Sequence, residues 1–266
     1  MTEEKIVNVG GNIEDALIGN YRINIKETLT EAWEITVLSR RSINIGLLFI
    51  YGLSALVTLF ISHYFGGIEA VVQNENAFTV LNVLITLLVA PFMAGVEMMG
   101  VFHSIKLKTQ PKLIFAFFKR GTWVSITALL TSLFVGIGLQ LLVIPGVFLF
   151  VLFSLAIPLV VEKQLSPAKA IILSVKSLRF QWLNILGLYG LFTGALILSL
   201  LPLLILASSP MIVIGLVIFV FTLSYLLPLF YNVKGILYRE IFGLKIVTTS
   251  KDSLDYSDNH NDTFSA

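Results

Sequence analysis

Cysteine is missing from all 266 residues. That excludes disulfides, thiolate metal sites and cysteine nucleophiles, and it leaves the redox compartment open. Charge is the second scarcity. Asp, Glu, Lys and Arg make up 13% of the chain, against about 25% in an ordinary soluble domain. Only three histidines occur, His63, His103 and His260, and none has a second histidine at ligand spacing, so the sequence offers no zinc-type site. Nor does it contain a GxSxG, HExxH or phosphate-loop pattern. The expectation is a chain without enzymatic activity, cofactor or metal, and without nucleic-acid binding.

Apolar residues fill the space these absences leave. They account for 56% of the chain, and the mean hydropathy is +0.90. They gather in uncharged runs of the length that crosses a bilayer as helix, about 18 residues or more. Lipid offers no hydrogen bonds to an open backbone, so such runs must be helical. Strands of a membrane barrel would alternate polar and apolar residues, and these do not. The fold class read from sequence is an all-α polytopic membrane protein. It is a bundle of six transmembrane helices with amphipathic cytoplasmic interfacial helices.

The spans fall at about 43–64, 78–102, 121–143, 146–161, 183–206 and 211–233. The third and fourth share one uncharged run, which would make about 60 Å of helix, twice the hydrocarbon thickness. It must fold back, and Ile144-Pro145-Gly146 is the breaker in its middle. The first run begins too late, and runs too long, for a cleaved signal peptide. Three parts follow: a cytoplasmic N-terminal segment with an amphipathic helix (1–42), the six-span membrane domain (43–247) and a disordered cytoplasmic tail (248–266).

Orientation comes from where the basic residues sit. Lys5, Arg22, Lys26, Arg40 and Arg41 precede the first span, and five more, Lys106 to Arg120, separate the second from the third. Lys163, Lys169, Lys176 and Arg179 separate the fourth from the fifth, and Lys234, Arg239, Lys245 and Lys251 close the chain. These are all 18 basic residues, so the positive-inside rule places both termini in the cytoplasm.

Three segments on that side have amphipathic character: 28–41, 111–123 and 165–182. In the last, Leu165, Ala168, Ile171, Ile172, Val175 and Leu178 recur at helical spacing, with Lys169, Ser174 and Lys176 between them. Basic helices of this kind suit the headgroup layer, either as tethers or as binders of anionic lipid or a partner. Each precedes an outgoing span, and each returning span carries a proline (Pro91, Pro158, Pro228). That pattern points to a threefold helical-hairpin repeat. The three prolines, with Pro145 and Gly146, are the candidate helix hinges. Gly190 and Gly194 form a GxxxG in the fifth span, read as intramolecular packing or a dimer face.

The candidate polar site lies in AGVEMMGVF, 94–102. Glu97 stands about six residues, roughly 9 Å, inside the cytoplasmic boundary. A carboxylate there needs a partner, a proton or water. Glu97 follows Pro91 by the same interval as Lys234 follows Pro228. The expectation is that Glu97 faces Lys234 with Asn232 nearby, as a clamp between spans two and six or as part of a solute path; the third alternative is a lipid-exposed glutamate at the level of the interface.

Three stretches carry a resemblance: PFMAGVEMMGVF at 91–102, IPGVFLFVLFSLAIPLVVEKQLSPAKAIILSVKSLRFQW at 144–182, and LPLFYNVKGILYREIFG at 227–243. On these the chain resembles six-span bacterial inner-membrane proteins of the YciC-like group, and the membrane domain attached to some glycerophosphodiester phosphodiesterases. The resemblance implies a bacterial inner-membrane location and transfers no catalytic residue, since the soluble phosphodiesterase domain is missing. The functional expectation is a protein acting through membrane lipids, a protein partner or a second copy, in envelope homeostasis or as an accessory subunit. The alternative is a small-solute or ion transporter using Glu97 and Lys234.

Overall fold

The computed structural model describes residues 4–249, with side chains from 8 to 245. Among the described residues the chain is all-α but for one small sheet, and six helical segments are long and apolar enough to cross a membrane. They are Ile25–Tyr64, Glu75–Ser104, Pro111–Leu141, Val143–Val161, Trp182–Ile205 and Ile212–Phe242. The helices are α1 (Ile13–Ile18), α2 (Ile25–Tyr64), α3 (Ile68–Gln73), α4 (Glu75–Ser104), α5 (Gly121–Leu141) and α6 (Val143–Phe153). There follow α7 (Ala156–Val161), α8 (Pro167–Leu178), α9 (Trp182–Ile205) and α10 (Ile212–Phe242). The chain packs as two compact units. Of the described residues, one comprises those up to Arg40, Met99–Gln110 and those from Lys176 to 249; the other comprises Arg41–Met98 and Pro111–Val175.

The first unit holds a feature the hydropathy pattern does not announce. Strand β1 (Glu4–Val9) runs antiparallel to β2 (Leu244–Thr249), with Val9 opposite Leu244. β2 therefore reaches two residues into the stretch assigned to a disordered tail; the rest of that tail, from 250, lies outside the described residues. A two-stranded ribbon is marginal by itself, and this one is tied to the end of α10. The amides of Gly11 and Gly243 both donate to the Arg239 carbonyl, each at 3.0 Å. Gly10 and Gly243 have φ of 89° and 62°, left-handed values that glycine adopts without steric cost.

In the second unit α5 and α6 form the hairpin. The turn is at Leu142, whose backbone is extended, and Pro145 sits inside the first turn of α6. The break thus lies a few residues before the expected Ile144-Pro145-Gly146. A proline in a first helical turn gives up an N–H that has no intrahelical partner anyway, so Pro145 starts a helix here. Gly146 does the close packing: a Cβ on it would lie 2.5 Å from the Leu139 amide nitrogen, and one on Gly138 would lie 2.9 Å from Gly146 Cα. The fourth span is interrupted between Phe153 and Ala156, just ahead of Pro158.

Pro91 lies within a continuous α4. Lacking an N–H, it frees the Leu87 carbonyl one turn earlier, and the Ser125 hydroxyl of α5 donates to that carbonyl at 2.8 Å. Gly121 makes room, since a Cβ on it would touch the Pro91 ring at 3.3 Å.

The three amphipathic segments behave differently from one another. Residues 28–41 belong to the single 40-residue α2, because no proline separates them from the first span. Residues 111–120 form two short 3₁₀ turns. Phe115 and Phe118 there join Phe49 and Phe92, with centroid distances of 4.8–5.7 Å between Phe92 and the other three. The third segment is helical as expected, but its buried face is Pro167, Ala170, Ile171, Ser174, Ser177 and Leu178. That face is rotated from the predicted stripe. Ser174 belongs to it because its hydroxyl donates to the Leu152 carbonyl of α6 at 2.6 Å, which removes the cost of burying it.

Candidate polar site

Burial changes abruptly along two of the spans. The first half of α4 is largely exposed, whereas from Ala90 to Ser104 nearly every residue is buried. In α10 the change falls at Pro228. Exposed apolar side chains such as Leu84, Leu88, Val213, Val217 and Phe221 are normal toward lipid and costly toward water. The buried halves carry the polar residues: Glu97, His103 and Ser104 on α4, and Asn232 and Lys234 on α10.

In the first unit His103 and Asn232, with Thr109 and Thr36, make a directed hydrogen-bond chain. His103 Nδ1 lies 3.0 Å from Asn232 Oδ1, and His103 Nε2 lies 2.7 Å from Thr109 Oγ1. Asn232 Nδ2 donates to Thr36 Oγ1 at 2.8 Å, and Thr36 donates to the Ala32 carbonyl at 2.7 Å. The chain joins α2, α4 and α10 and ends on a backbone acceptor of α2. His103, set aside from the sequence because it had no second histidine at ligand spacing, is its central member.

A second knot lies nearby in the same unit. The guanidinium of Arg239 grips Glu31 with two parallel bonds, of 2.6 and 2.9 Å, and also donates to the Ser104 carbonyl and to Glu240. Such fork-to-fork pairing fixes orientation as well as charge. From the sequence, Arg239 counted only as a cytoplasmic charge. Its place one and a half turns beyond Lys234 was the available signal, but the partner is some 200 positions away.

Gly100 and Gly235 let α4 and α10 meet at backbone contact. A Cβ on Gly235 would collide with the Gly100 carbonyl, and one on Gly100 with the Tyr231 carbonyl. Gly190 and Gly194 have open space where a Cβ would be. Within the first unit, therefore, the close helix approach is made by Gly100 and Gly235, which lack the GxxxG spacing.

Of the predicted trio, Asn232 and Lys234 belong to the first unit and Glu97 to the second. All three are buried, Glu97 at 6% exposure and Lys234 at 8%. The second unit also contains a cavity of about 260 Å³ between the ends of α2 and α4 and α3. Its polar lining groups Thr58, Ser62 and Asn82 each donate to a carbonyl of their own helix, so its interior is mainly apolar. Among the described residues no group of His, Asp and Glu is arranged to hold a metal ion.

The N-terminal segment is fastened to the end of α8, again within the first unit. Tyr21 donates its hydroxyl to the Ser177 carbonyl at 2.7 Å, and Gln181 donates to the Tyr21 carbonyl at 2.8 Å. Burial pushes the Tyr21 phenol up to about 12. Because the folded value is the higher one, the phenol's contribution is complete below pH 10 and is lost as pH rises to about 12. Tyr21→Phe should cost about 1 kcal/mol. It should also flatten that alkaline loss in thermal unfolding curves recorded between about pH 9 and 12.

These features define a multi-pass α-helical membrane protein in which His103, Asn232, Thr36, Arg239 and Glu31 tie helices together. No protein-family model, no curated protein and no solved structure matches the chain.

Proposed function

We propose that this chain is a non-enzymatic protein of a bacterial inner membrane, with both termini in the cytoplasm, that acts through contacts with lipids and partner proteins. Envelope homeostasis, or an accessory role beside another membrane machine, fits that description. The observation that supports it is the hydrogen-bond chain through Thr109, His103, Asn232 and Thr36. His103 and Asn232, both buried, are bonded to each other and to side chains of neighbouring segments, as in a clamp. A conduit needs polar groups turned toward water or solute. The distribution of all 18 basic residues supports the orientation.

A second reading rests on two charges inside apolar helices. Glu97 and Lys234 are both buried, and ionisable residues at membrane depth mark transport paths often enough to be tested. Glu97→Gln and Lys234→Met separate the readings in proteoliposomes. On the clamp reading each variant lowers the unfolding temperature, because each side chain is buried within its own unit and a change there disturbs its packing, and ion or solute flux stays at the protein-free level throughout. Flux carried by the native protein and abolished by a variant that remains folded would overturn the proposal.

A further inference from the structure

Exposed apolar and basic side chains meet where the N-terminal segment docks on the end of α8. Ile18 is 71% exposed at the tip of α1, and Phe180 is 45% exposed just beyond α8. The two are adjacent, because the Gly19 backbone lies on the Phe180 ring, so close that a Cβ there would be 2.6 Å from Cγ. On the segments so joined, Arg22, Lys26, Lys176 and Arg179 are all exposed. Arg179 keeps its guanidinium 4.7 Å from the Phe180 ring centre. Tyr21 and Gln181 hold the two segments together, and Ile25 packs against Gly187 of α9. Everything named here belongs to the first unit.

The chain itself fixes where this surface stands. The membrane-crossing helix α9 begins at Trp182, three residues after Arg179. Even fully extended, that interval spans only about 10 Å, one Debye length at physiological salt. Arg179 and Phe180 therefore sit at the headgroup level wherever α9 enters the bilayer. The acidic side chains nearby are partly committed: Asp15 accepts from Asn12 and Asn20, and Glu27 accepts from Asn24. Those amide bonds orient the carboxylates and leave their charge in place, so with the exposed Glu14 three acidic groups stand beside four basic ones, and the basic side chains keep the excess.

We propose that this surface is a docking face for anionic phospholipid. Ile18 and Phe180 enter the boundary between headgroups and acyl chains, and Arg22, Lys26, Lys176 and Arg179 bind the phosphates. This deepens the lipid-contact half of the functional reading and rests on it. Yet it concerns a face outside the Glu97 and Lys234 region, so the flux measurements above and the following test fail independently.

The test is amide hydrogen exchange of residues 13–22 in the full-length protein. It is carried out in nanodiscs of phosphatidylcholine alone and of phosphatidylcholine mixed with phosphatidylglycerol. One basic residue at an anionic surface contributes about fivefold, the equivalent of about 1 kcal/mol. Exchange should slow by at least about tenfold in the mixed discs, recover its faster rate in molar salt, and show no lipid dependence in R22Q/K26Q/K176Q/R179Q. These four side chains are exposed, and the unchanged unfolding temperature of the variant in detergent confirms that it folds. Equal exchange in both lipids overturns the proposal. So does slowing that survives in the quadruple variant. Protection seen only in native membranes, and in neither disc, gives the face to a protein partner and overturns it as well.

Discussion

Gly235→Ala is expected to cost about 3 kcal/mol or more, enough to leave little folded protein in detergent at room temperature. Overpacking a tight core usually costs about 1–3 kcal/mol because flexible neighbours give way. Here the neighbours are backbone: the added methyl meets the carbonyl of Gly100 and, at 2.7 Å, the amide nitrogen of Val101. Relief requires moving α10 away from α4, which would also pull Asn232 from His103. Gly100→Ala meets the Tyr231 carbonyl and should behave alike. Gly190→Ala has nothing within 4 Å of the new atom and should be neutral or slightly stabilising, because alanine is the better helix former by about 0.5–1 kcal/mol. Thermal unfolding by circular dichroism in micelles reads all three. The same chemical change is thus expected to give opposite signs at glycines that composition cannot tell apart.

That contrast shows what was legible in the sequence. A membrane span is a local property, apolar length without charge, and the six crossing helices stand where the hydropathy runs lie. A packing glycine is not local. Gly190 and Gly194 carry a recognisable spacing and face open space, whereas Gly100 and Gly235 touch because of how their helices meet. The same reasoning applies to β1 and β2. EKIVNV and LKIVTT are plausible strands once paired, but nothing local joins segments at opposite ends of the chain. Proline misled in one place and informed in another. Pro145 marked a break, which the chain makes at Leu142 because the proline is more useful inside the next helix. Pro91 was marked as a hinge, and only the tertiary structure shows that the carbonyl it frees is taken by Ser125.

Serine was the other source of error. Assigning Ser174 to the polar face of α8 rotated the predicted stripe, since a hydroxyl that can reach a neighbouring carbonyl is as burial-tolerant as alanine. The polar site was half legible for a similar reason. Asn232 was singled out because it stands two residues before Lys234. Its partners could not be, because His103 and Thr36 lie on other helices, one of them 196 residues away.

Asn232→Leu tests that network and is expected to cost about 2–4 kcal/mol. The size follows from the direction of the bonds. Thr36 gives its proton to the Ala32 carbonyl, so it meets Asn232 with a lone pair and must receive an N–H from the amide group. That turns the amide oxygen toward His103 Nδ1, which therefore carries the ring proton, and leaves Nε2 to accept from Thr109. Leucine matches asparagine in size but accepts nothing, so the Nδ1 proton of a ring only 2% exposed loses its acceptor. A buried donor left alone costs about 1–3 kcal/mol, and the bond to Thr36 disappears with it. Thr36→Val strands one amide proton and should cost less, about 1–2 kcal/mol. Combined with Asn232→Leu it strands nothing and should cost almost nothing more. A double-mutant cycle on unfolding free energies reads the difference directly as coupling between the two positions. Coupling of about 1 kcal/mol or more supports a chain that works as one unit across three helices. Additive losses would mean that the two positions stabilise the fold separately, and the clamp would then have to be sought in Arg239 and Glu31 alone.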